Sequence, residues 1–183
     1  MSRFLTGAKK QFDYYKSLGD NTFNQLTLEE LKKEFAVDSN SVAIIVKHIA
    51  GNMLSRWTNF LTEDGEKEWR KRDEEFEDTY SSKEQLIAAW SNGWNCLFSA
   101  LQQIKEEDLV CIVYIRNQGR TVTEAINRQM MHYAYNIGQI VLLGKQIKGS
   151  NWNSLSIPIG QSKRYNKNKL KKNKRLSHFT DDL

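Results

Sequence analysis

The chain has one proline, Pro158, and its ten glycines are scattered. That scarcity of punctuation favours helices. Cysteine is nearly absent. Cys96 and Cys111 lie in the apolar runs WNCLF and LVCIV with no C-x-x-C spacing, which fits a reduced cytosolic pair better than a disulfide. No run approaches the length of a membrane-spanning helix, and the opening MSRFLTGAKKQF lacks the apolar core of a signal peptide. The expectation is a cytoplasmic protein with no membrane partner. Also missing are the phosphate loop G-x-x-x-x-G-K-[ST], the dinucleotide pattern G-x-G-x-x-G and the nucleophile elbow G-x-S-x-G.

What is present suits one soluble domain. At 183 residues the chain can bury a real core, and 39% hydrophobic with 27% charged residues is a globular composition. The net charge of +5 is unevenly placed. Residues 161–183 carry eight Lys/Arg against two Asp, so the rest of the chain sums to −1. The division expected is a helical domain over 1–160 and a basic, disordered tail over 161–183. Tyr165 lies among those cations, and such a tail can grip nucleic acid by counterion release. No groove-reading fold accompanies it, so a solubilising extension is the preferred reading and a nucleic-acid partner is not expected.

Helical spacing organises the domain. Phe4, Phe12, Tyr15 and Leu18 mark a first helix over 3–19. Thr27-Leu-Glu-Glu30 is a capping box that starts a short helix over about 28–35. Asp38 or Ser39 can cap the next, whose apolar positions Val42, Ile45, Ile49, Met53 and Trp57 run to about Phe60. Residues 62–80 are dense in charge and read as a solvated connection, with Asp73, Glu74, Glu75, Glu77 and Asp78 as surface acids. Ser82-Lys-Glu-Gln85 opens a helix with Leu86, Trp90, Trp94, Leu97, Leu101 and Ile104 on its core side. Residues 109–115 resemble a strand and 116–120 a turn. Thr121-Val-Thr-Glu124 starts a last long helix. The fold class expected is all-α, a four-helix bundle with a short β-hairpin near 109–120.

The last helix carries the chemistry. Between Ala125 and Gly144 its only charged residue is Arg128, yet Gln129, His132, Asn136 and Gln139 recur at steps of three, four and three, on one face. Ile126, Met130, Tyr133, Ile137 and Ile140 flank that stripe on one side, and Met131, Tyr135 and Leu142 on the other. A helix apolar nearly all round is normally buried, and each unsatisfied polar group there costs about 1–3 kcal/mol. The stripe therefore feeds an internal network or lines a site. His48 borders the apolar face of the 42–60 helix. In a bundle it can meet His132, with Asn136 in third place, and imidazole suits Zn, Ni or Fe. The alternative is a pair of core histidines hydrogen-bonded to Asn136, Gln129 or Asn52. His178 lies in the tail.

Three ordered motifs carry a resemblance. They are VKHIAGNMLSRW (46–57), NRQMMHYAYNIGQ (127–139) and WNSLSIPIG (152–160). Together they resemble the DinB-like (YfiT-like) metalloenzyme superfamily, within it a bacterial subgroup of unknown function, over about residues 3–165. The resemblance implies an up-down-down-up four-helix bundle, a homodimer, and nickel or zinc held by three histidines. Carried over by position, these are His48, His132 and residue 136, where this chain has Asn136 instead of histidine. Asn52, Gln129 and Gln139 would orient the ligands. The implied activity is a metal-dependent transfer using a low-molecular-weight thiol such as bacillithiol or mycothiol, with a degenerate metal site in this chain. The alternative is a non-catalytic dimeric bundle that binds a small ligand.

Overall fold

A computed structural model describes residues 3–182. It is mainly α-helical, with one two-stranded antiparallel hairpin. The helices are α1 (Arg3–Phe23), α2 (Leu28–Leu31), α3 (Val42–Trp57), α4 (Lys83–Gln103), α5 (Val122–Lys148) and α6 (Ser162–Leu170). The hairpin pairs β1 (Ile112–Ile115) with β2 (Gln118–Thr121). Two capping boxes form as the sequence predicts: Thr27 with Glu30, and Thr121 with Glu124. The Ser82 cap forms too, but Gln85 accepts from Ser81 rather than closing the box on Ser82.

Several starts and ends differ from expectation: α2 stops at Leu31 rather than about 35, and α3 at Trp57 rather than about Phe60. The cap of α3 is Ser41, because the Ser39 hydroxyl is taken by the amides of Phe35 and Ala36. Helix α1 continues four residues past Gly19, which brings Phe23 onto Trp90 edge-on at 5.1 Å.

Side-chain contacts fix the helix directions. Phe12 meets Tyr133, and Thr22 lies beside Gly144, so α1 and α5 run parallel. Gly93 lies against Ala50, and Thr58 against Cys96, so α3 and α4 run parallel. Phe12 meets Trp94 while Asp20 meets Trp90, so α1 and α4 are antiparallel. The order is therefore up-down-down-up. At the α3–α4 crossing, a Cβ on Gly93 would lie 3.0 Å from the Ala50 Cα, so glycine eases this close approach.

Phe12, Trp57, Trp94 and Tyr133 meet at the centre with ring centroids 5.9–6.3 Å apart. The fully buried Tyr133 hydroxyl is satisfied there. It accepts from Trp57 Nε1 (3.0 Å) and donates to Asn52 Oδ1 (3.1 Å).

Parallel neighbours need a long return connection. After Trp57 the chain runs back along α3 as a strap. Gly65 packs by Arg56, Glu75 by Gly51, and the Glu77 carbonyl accepts from Lys47. The expectation of a merely solvated connection is thus corrected. Glu75 and Lys67 are buried, and the Arg70 side chain is 2% exposed.

Candidate functional site

The strap and two helices converge on a pair of histidines. His48 on α3 and His132 on α5 stand with ring centroids 5.5 Å apart and planes at 88°. Phe76 of the strap stacks on the other side of His48, at 5.1 Å and 29°. Glu75 Oε2 lies 2.9 Å from His48 Nδ1. Arg70 grips the same carboxylate through two bonds, Nε to Oε1 (2.7 Å) and a terminal nitrogen to Oε2 (2.9 Å).

Gly51 makes this seat. A Cβ there would come within 2.4 Å of Glu75 Oε1. The glycine in the HIAGN run is therefore needed for the buried carboxylate. Charge pairing continues outward from Arg70. Glu66 bonds Arg56 (3.2 Å) and Arg116 (3.1 Å), and Arg70 lies 3.6 Å from it. The strap also fixes the hairpin. Asp64 accepts from the amides of Arg116 and Asn117, both at 2.8 Å, and these two residues have φ of 56° and 60°.

The electrostatics are asymmetric. Burial works against the Glu75 carboxylate, but the bond from His48 and the Arg70 guanidinium hold it below the ordinary glutamate range. An ionised carboxylate only accepts, so Nδ1 of His48 carries the hydrogen and Nε2 is left for other chemistry. His132 is pushed down to about 4, first by burial and then by His48, Arg128, Arg56 and Arg70. It is uncharged at neutral pH. Among the described residues its ring has no hydrogen-bond partner. The pair offers unprotonated imidazole nitrogen beside a pinned imidazole, an arrangement able to take a proton or ligate a cation.

Comparison with known families places the chain. A family described as "Protein of unknown function (DUF1572)" matches residues 1–161. The chain belongs to this family. No curated protein and no solved structure gives a significant match. The match covers α1 to α5 and the hairpin, and it ends where α6 begins. Both histidines, Glu75 and Gly51 thus lie inside the DUF1572 span.

The other stripe residues are placed as follows. Asn136 is buried, and its Nδ2 donates to the His132 carbonyl one turn back (2.8 Å). Nothing among the described residues donates to its oxygen. Gln129 is buried with Oε1 unpartnered. Gln139 is half-buried, and its side chain bonds no other group among the described residues. Asn52 serves the Tyr133 network, and neither it nor the two glutamines bonds His48 or His132. Among the described residues no three His, Cys, Asp or Glu side chains cluster as a ligand set. Two imidazoles without a third ligating side chain do not make a closed structural site. His178 bonds Thr180 and neither His48 nor His132.

One apolar flank is not buried. Met131 is 71% and Tyr135 70% exposed, and Leu142 is exposed with them. Helix α5 covers the core on one side and presents a second apolar face outward.

Proposed function

We propose that this protein is a divalent-metal-dependent enzyme of the thiol-transferase type with an attenuated centre. His48 and His132 would hold the ion, nickel or zinc, and the Asn136 oxygen would stand in third place. The observation that carries this reading is the His48–His132 pair with Glu75 behind it. Metal-ligating histidines characteristically donate their second N–H to a carboxylate, which fixes tautomer and ring orientation. When bound, such an ion lowers the pKa of a thiol or water at its open position.

The chain's own residues have separate tasks. Glu75 keeps the hydrogen on His48 Nδ1 and presents Nε2. Arg70 keeps Glu75 ionised. Burial keeps His132 free of a proton that would compete with the ion. Phe76 covers one face of the His48 ring against water.

Metal analysis of untagged protein incubated with Ni²⁺ or Zn²⁺ tests the reading. Stoichiometric binding lost in His132→Ala is expected, and Asn136→His should tighten it strongly. Less than about a tenth of an equivalent in the parent protein overturns the metal part.

A second reading has its own support. The Asn136 amide is turned onto its own helix, and the exposed Met131–Tyr135–Leu142 face offers a surface for a second copy of the chain. We infer from these a non-catalytic dimeric bundle that binds a small ligand. It requires that Tyr135→Glu convert a dimer to a monomer in sedimentation, and that His132→Ala chiefly cost stability. A thiol-transfer activity abolished by His132→Ala at unchanged stability would end it.

A further inference from the structure

We propose that the cleft between α1 and α6 binds single-stranded nucleic acid, with tyrosines stacking on bases and the cations of α6 and the following turn holding phosphates. The cleft is large, about 1160 Å³. Tyr14 and Asn21 of α1, with Asn24 just past its end, form one wall, and Arg164, Tyr165 and Asn168 of α6 the other. Its floor is the 153–158 loop. Gln25 clips that loop to α1 by accepting from the Asn153 amide (2.8 Å) and donating to its carbonyl (3.2 Å).

The walls carry recognition chemistry without internal partners. The carboxamides of Asn21, Asn24 and Asn168 and the guanidinium of Arg164 have no bond among the described residues. A carboxamide offers a donor and an acceptor side by side, as base edges require. Tyr165 presents an aromatic face, with the Lys169 ammonium 5.4 Å from its centroid. Aromatic platforms beside a cationic track are how single strands are held without a duplex groove.

The chain beyond α6 keeps the cations in place. It returns to α1, where Phe179 packs edge-on against Tyr14 at 5.1 Å and Asp181 pairs with Lys10. Residues 171–177, with Lys171 and Lys174, are therefore tethered at both ends. The nearby acid Asp20 is already engaged by Lys16 (2.6 Å) and Trp90 (2.7 Å). Helix α6 alone is about 13 Å long, and its cations spread well past a single phosphate, which favours a strand over a free nucleotide. The sequence displays the cations but not the wall supplied by α1 from the other end of the chain.

Fluorescence anisotropy of the full chain with a labelled 20-mer of deoxythymidine tests this. Contacts to about four phosphates would weaken binding about fifty-fold between 50 and 200 mM salt. Tyr165→Ala should weaken it at least about fivefold at fixed salt, and Tyr165→Phe should restore it. Asn24→Asp, on the opposite wall, puts an anion in the cleft and should weaken it to a similar degree without depending on how α6 folds. Binding that is unchanged in both Tyr165→Ala and Asn24→Asp, or equal affinity for a duplex of the same length, would overturn the proposal. So would thymidine monophosphate competing as well as the oligomer, nucleotide for nucleotide.

Discussion

The strap over residues 62–80 and the C-terminal segment over 161–182 are both rich in charge, and both read from sequence as solvated. The structure treats them differently. The strap mixes signs, and its ends are fixed by α3 and α4, so it must lie along the bundle. Its charges pair there, Arg70 with Glu75 and Glu66 with Arg56 and Arg116. The C-terminal segment is nearly all of one sign. Its helix α6 has no buried residue. Charge density alone does not decide burial. Mixed sign does.

The sharpest way to break this contrast is at Glu75. Glu75→Ala leaves the Arg70 guanidinium buried without its carboxylate, and losing one partner of a buried pair costs about 3–5 kcal/mol. Urea denaturation should show that loss, and the same variant should bind Ni²⁺ or Zn²⁺ about 10–100-fold more weakly. Gly51→Ala attacks the same seat by crowding rather than by charge. It should cost about 1–3 kcal/mol. A loss under about 0.5 kcal/mol in Glu75→Ala would show the strap to be as loosely held as the tail.

Acid should act on His132 and on Glu75 over different pH ranges. In the metal-free protein, His132 titrates near 4 against about 6.5 for an ordinary histidine. Between those values the unfolded chain takes a proton that the folded protein refuses. Stability therefore falls as pH drops from about 6.5 to about 4 and levels off below. Glu75, whose range is depressed, contributes above the ordinary glutamate pKa, and that contribution is lost only as pH falls below it. Melting temperatures across pH 7 to 4 in EDTA should show the first slope, and His132→Gln should flatten it. An unchanged slope in that variant would mean that His132 is not the group refusing the proton.

The bundle was legible because its signals are local. Helical spacing placed Ile49, Met53 and Trp57 in α3 and Trp90, Trp94 and Leu97 in α4, and all six are buried. The Thr121–Glu124 box marks the start of α5 within three residues of chain. The two histidines were readable for the same reason, each from its position on a periodic face. Glu75 was not. It sits among five acids with no pattern to single it out, and only the return of the strap along α3 brings it to His48 and Gly51. The one local hint was a glycine inside an otherwise helical run, which signals a close approach without naming what approaches. The hairpin turn hid in the same way. Arg116 and Asn117 tolerate positive φ because Asp64, distant in sequence, accepts both of their amides. The outward face of α5 was misread because periodicity shows which residues share a side and not whether anything covers it.

The smallest effect is expected at α6. Lys163 and Lys167 are exposed and one turn apart, a like-charge spacing that opposes the helix by about 0.2–0.5 kcal/mol. Lys163→Gln with Lys167→Gln removes that repulsion and breaks no buried contact. The double variant should be as stable as the parent or more so by a few tenths of a kcal/mol, with unchanged urea midpoint within error. The same substitutions should lower affinity for the single-stranded oligomer and reduce its salt dependence, since two phosphate contacts are lost. Stability and binding would then separate in this segment, whereas in the strap Glu75→Ala should damage both together. If the lysine pair instead cost more than about 1 kcal/mol, the C-terminal segment would be held by its charges as the strap is, and the difference in sign composition would not explain their different fates.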